Sequence, residues 1–112
     1  MIILLLIFSA TENDYSDVLA NQLDGQREVR LWDDTRVDIL TDEYAIEVDW
    51  AYKWAEAIGQ SLYYGIVTGK KPMIIILIKD NTKDKKYIYR CQTICTKYGI
   101  KLKSYKIQEL IP

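Results

Sequence analysis

The chain has 112 residues, 49% of them hydrophobic and 28% charged, which fits one folded domain with one modest core and excludes a disordered chain. The net charge of −1 conceals a split: residues 1–56 hold 4 Lys/Arg against 13 Asp/Glu, and residues 57–112 hold 11 against 3. An acidic half beside a basic half fits either a metal site flanked by a polyanion-binding surface or two solvated faces that partly neutralise each other. No histidine is present, which removes Ser-His-Asp and Cys-His catalysis and histidine-ligated zinc from a single-chain site.

The opening run, MIILLLIFSA, is too short to span a membrane as a helix, so no stable membrane anchor is expected. Residues 1–10 read either as a short secretory signal peptide or as a buried N-terminal segment, with residues 11–112 forming a single domain. The first alternative implies export to a periplasmic or extracellular space, the second a cytoplasmic protein. Thr11 to Leu23 predicts a helix, with Thr11 or Asn13 as N-cap and Tyr15, Val18, Leu19 and Leu23 on one apolar face. Asp24-Gly25 ends it, and Arg27 to Trp32 alternates as a first strand, closed by a turn at Asp33-Asp34.

Arg36 to Tyr64 is the most informative stretch. Val37 and Ile39, then Ala45, Ile46 and Val48, predict two strands joined by a short connection at Thr41, Asp42 and Glu43. Asp38, Glu47 and Asp49 lie on those strands where apolar residues would be cheaper to bury. Glu47 and Asp49 share a face, and a simple hairpin register brings Asp38 within reach of it. A helix follows almost at once. Lys53, Gln60 and Tyr64 fall within roughly 40° of one another around it, while Trp54, Ile58, Leu62 and Ile66 form an apolar stripe for the sheet.

Pro72 closes that helix, and the continuous apolar run Met73 to Ile78 predicts a strand buried on both faces, reached by a crossover and paired in parallel. Lys79 to Lys86 reads as a polar, mostly basic loop into a last helix that buries Ile88, Cys91, Cys95 and Tyr98 and stops at Gly99. Cys91 and Cys95, four apart on a helix, are expected to be buried free thiols. Ile100 to Ile107 alternates with lysines, as an edge strand does.

The order helix, three strands, helix, strand, helix, strand resembles the αβββαβ core of the PD-(D/E)xK nuclease superfamily, with a restriction-endonuclease-like α/β fold built on a central mixed sheet. The resemblance rests on RVDILTDEYAIEVD and KWAEAIGQSLYY, the middle of the chain. It implies that Asp38 and Glu47 hold Mg²⁺ or Mn²⁺, the oxygen-seeking divalent ions left open by the absence of histidine. Gln60 and Tyr64 match the QxxxY pattern of exonuclease-like members, and Glu12 matches, more weakly, an extra glutamate on the first helix. The chain departs from the family where the lysine of D/E-x-K is replaced by Asp49. The resemblance implies a migrated lysine, Lys53, with Asp49 either an additional metal ligand or a helix cap.

These expectations converge on a divalent-metal-dependent nuclease, DNA being favoured over RNA, with Lys53 and Gln60 catalytic and Asp38, Glu47 and Asp49 at the metal. Tyr64, Lys70, Lys71, Lys83, Lys85 and Lys86, joined by Lys79 and Arg90, are the expected nucleic-acid contacts. The alternative is a catalytically inactive nuclease-fold module that binds nucleic acid or protein. A bare core of this size has little room for a substrate clamp, which makes a homodimer a reasonable assembly.

Overall fold

The computed structural model describes residues 10–110. Of the N-terminal segment expected at 1–10, only Ala10 falls among them, partly buried against the core. Helix α1 (Glu12–Leu23) leads into strands β1 (Gln26–Arg30), β2 (Arg36–Leu40) and β3 (Tyr44–Trp50). A 3-10 turn (Ala51–Lys53) and helix α2 (Trp54–Thr68) cross over to β4 (Lys71–Ile78). Helix α3 (Asn81–Tyr98), β5 (Lys101–Lys106) and a short 3-10 turn (Ile107–Glu109) complete the described chain.

The five strands form one mixed sheet in the order β1-β2-β3-β4-β5. β1–β2 and β2–β3 pair antiparallel, whereas β3–β4 and β4–β5 pair parallel, as the helical crossovers require. Alternation sorts the side chains. Ile39, Ile46, Val48, Met73, Ile75 and Leu77 face α1, whose Tyr15, Leu19 and Ala20 complete one core. Ile74, Ile76 and Ile78 face α2 and α3 and pack with Ala57, Cys91 and Cys95. β4 is buried on both faces from Met73 to Ile78, as its unbroken apolar run predicts.

Asp24 takes the left-handed conformation that ends α1, and Gly25 is then required by close approach: a Cβ there would lie 2.5 Å from Ile39 Cγ2. Three local expectations are corrected. α3 begins at Asn81, because the Asp80 carboxylate accepts hydrogen bonds from the Thr82 and Lys83 N–H groups and caps it; most of the expected basic loop is therefore helix. Ile66 is 80% exposed, since α2 rolls to bury Ala57, Ser61, Tyr64 and Gly65 instead. Tyr98 is 63% exposed at the end of α3, where the helix runs past the sheet-facing Cys91 and Cys95. Those two thiols are free and buried, with sulfurs 3.8 Å apart. Among the described residues no helix is long and apolar enough to cross a membrane.

Candidate functional site

The site forms where β2 peels away from β3. Their ladder holds at Ile39↔Ile46 and Leu40↔Ala45, and the next pair in that register is Asp38 and Glu47. There the side chains take over from the backbone. Asp38 Oδ2 accepts a hydrogen bond from the Val48 N–H at 2.9 Å, and the Asp38 N–H points at Glu47 Oε1 at 3.5 Å. Two acids thus sit side by side in the opened ladder, as the simple register predicts.

Glu47 is 4% exposed and Asp49 6%, an unusual degree of burial for carboxylates. Burial, followed by the adjacent Asp38 charge, pushes Glu47 up to about 9, so it keeps its proton at neutral pH. Burial also raises Asp38, against the opposing hydrogen bond from Val48. Asp49 is raised to about 7 by burial and then by the Glu12 charge, with Lys53 pulling the other way. Asp49 caps nothing: the residues at the N-cap positions of the 3-10 turn and of α2 are Trp50 and Lys53.

Lys53 ends the 3-10 turn, and its Nζ lies 3.3 Å from Glu12 Oε1 on α1. That hydrogen bond is the main reason its ammonium is raised above the usual lysine range. The expected lysine and the weaker glutamate match are therefore partners, both close enough to Asp49 to shift it. Gln60 is half-buried on α2 and makes no hydrogen bond to these acids among the described residues. Tyr64, expected at a nucleic-acid surface, is instead 7% exposed and packs with Val37 and Ala45. Burial and then the Glu47 charge raise its phenol. It is a wall of the acid site.

Several supports were not legible from residue types. Arg27 reaches under α1, donating to the Asp38 carbonyl at 2.6 Å, to Asp17 at 2.8 Å and to Asn13 at 3.2 Å. It ties the first helix to the strand that carries Asp38. The β1–β2 turn is fastened by Asp33, which accepts from the Thr35 hydroxyl at 2.6 Å and from the Tyr63 hydroxyl. Apart from the local Asp33–Thr35 turn, spacing alone carries no signal for these contacts, because each joins residues from different elements.

The lysines do not gather into one patch. Lys70 donates to the Asp42 carbonyl at 2.7 Å, and Lys71 pairs with Glu43 at 3.0 Å, both at the β2–β3 turn. Lys83, Lys85 and Lys86 lie in the first two turns of α3, beyond the far end of β4. An eight-residue strand separates the two groups by roughly 23 Å. Among the described residues no three His, Cys, Asp or Glu side chains gather closely enough to hold a metal ion together.

The chain is similar to two viral proteins. It is 33% identical over 97 residues to the putative KilA-N domain-containing protein L33 of Acanthamoeba polyphaga mimivirus, covering 87% of this chain and 38% of that protein. It is 39% identical over 69 residues to the putative KilA-N domain-containing protein R878 of the same virus, covering 62% of this chain and 18% of that protein. The chain therefore spans less than two fifths of either relative. No protein-family model matches it, and no solved structure does.

Proposed function

We propose that the chain is a nucleic-acid-processing module: a divalent-metal-dependent nuclease that cleaves phosphodiester bonds, of DNA more than RNA. The observation that carries the reading is the opened β2–β3 ladder, which sets Asp38 beside the buried Glu47, with the equally buried Asp49 on the same face and under the influence of Lys53. Burying two adjacent acids is costly unless something compensates them. The donor set fits Mg²⁺ or Mn²⁺, which take one or two carboxylates and complete their shell with water and substrate phosphate. When bound, such an ion supplies an activated water and offsets charge building on the phosphoryl oxygens.

In this reading Asp38 and Glu47 are the metal ligands, and each must give up any proton it holds. The Val48 N–H fixes the Asp38 carboxylate, while Arg27 fixes its backbone. Tyr64, buried beside Glu47, shields the acids from bulk water. Lys53 supplies a positive charge from the turn after β3, in place of the lysine that Asp49 has displaced. Asp49 tunes that charge, and Gln60, half-buried on α2, would contact the substrate. The similarity to KilA-N domain-containing viral proteins supports the nucleic-acid part of the reading.

Two observations favour a second reading, a module that binds nucleic acid without cutting it: Lys53 is already engaged by Glu12, and the position two after Glu47 carries an acid. Labelled single- and double-stranded DNA and RNA, incubated with Mn²⁺, Mg²⁺ or EDTA, separate the two. Cleavage that needs metal and disappears in Asp38→Ala supports the nuclease. Binding that persists in EDTA, with no cleavage under any condition by a folded protein, supports the binding module.

A further inference from the structure

Beside the acids lies a second feature that shares only Lys53 with the nuclease chemistry. A cleft of about 410 Å³ opens between the N-terminus of α1 and the ends of β3 and β4, and its lining includes Glu12, Trp50, Lys53 and Lys79. β3 and β4 run parallel, with Trp50 paired to Leu77, so Trp50 and Lys79 stand at their carboxyl ends. Open α/β sheets bind ligands at that end of parallel strands. Lys79 Nζ sits 4.0 Å from the centre of the Trp50 ring, a cation–π contact that holds the ammonium over the cleft. Trp50 is in turn braced edge-on by Tyr15 at 5.9 Å.

The two cations differ in what they have to spare. Lys53 is matched by Glu12, whereas among the described residues no carboxylate pairs with Lys79. A polyanion entering the cleft would meet Lys79 uncompensated and compete with Glu12 for Lys53. Because Glu12 also acts on Asp49 and Asp38, the cleft adjoins the acid site.

We infer that this cleft is a phosphate seat, with Lys79 held on Trp50 as its primary cation and Lys53 as its second, placing a backbone phosphate of the strand next to the acids. The inference rests on the nucleic-acid reading above but not on cleavage. Glu12 is its gate: it competes with phosphate for Lys53, so removing its charge tightens phosphate binding.

The test is a titration in EDTA of the intact chain, followed by the indole N–H signals of its tryptophans in NMR. Inorganic pyrophosphate and a short single-stranded oligodeoxynucleotide are the probes. Both should move the Trp50 signal while leaving that of Trp32, on the β1–β2 turn, unchanged. Lys79→Gln should weaken pyrophosphate binding about three- to fivefold, the scale of one partly exposed ion pair, and Glu12→Gln should strengthen it by a similar factor. Lys79 is exposed and Glu12 partly buried, and both lie outside the core clusters. A stationary Trp50 signal, or equal binding by wild type and Lys79→Gln, overturns the seat. Movement with pyrophosphate but not with the oligonucleotide overturns its assignment to a strand. A stationary Trp50 alongside Asp38-dependent cleavage removes the seat and leaves the nuclease; a moved Trp50 without cleavage does the reverse.

Discussion

Glu47→Gln should stabilise the metal-free protein, and by an amount that grows with pH. Native Glu47 is held up at about 9 against an ordinary 4.5, chiefly by burial and then by Asp38. Between those values the unfolded chain binds fewer protons than the folded one, so stability falls as pH rises through the window. Each pH unit inside it costs up to about 1.4 kcal/mol, setting a limit of about 4 kcal/mol between pH 5 and pH 8. Asp38 and Glu47 share their repulsion, so the pair titrates as a unit and about half that limit is expected from replacing one member. Urea unfolding in EDTA at pH 5 and pH 8 measures the difference directly. Wild type and Glu47→Gln should nearly coincide at pH 5, with the variant ahead by about 2 kcal/mol at pH 8. Mg²⁺ should recover stability for the wild type at pH 8 and much less for the variant, since a ligand that binds only the folded state stabilises it by mass action. A gap between the two proteins that stays constant from pH 5 to pH 8 would refute the argument.

Two further predictions concern the scaffold. Cys91 and Cys95 are buried, and burial pushes the Cys91 thiol up to about 12; neither should react with a thiol-specific chromogenic reagent at pH 8 until denaturant is added, when both should. Ile66→Lys should change the urea midpoint by less than about 0.5 kcal/mol equivalent, because the side chain is 80% exposed, whereas the sequence pattern alone places it on the packed stripe.

Much of the architecture follows from periodicity that any backbone must obey. The alternation around Val37, Ile39, Ile46 and Val48 defines two strands, and the unbroken run Met73 to Ile78 can only be a strand covered on both sides. A helix between β3 and β4 then forces their parallel pairing. The approach of Asp38 to Glu47 was equally legible, since register and the period of two place them opposite each other.

What the sequence could not decide was direction and depth. Helical spacing puts Lys53, Gln60 and Tyr64 on one stripe, but Lys53 lies on a 3-10 turn before the helix, and α2 settles by burying its small residues against the sheet. That roll carries Tyr64 inward and leaves Ile66 in water. The burial of Glu47 and Asp49 likewise depends on α2 covering their face of β3. The pairing of Lys53 with Glu12, across 41 residues, exists because α1 and the end of β3 meet in space. Local sequence determined the strands, the helices and the presence of the acids. Packing between elements decided which acids lost water, and desolvation is what turns a carboxylate on a strand into a chemically unusual group.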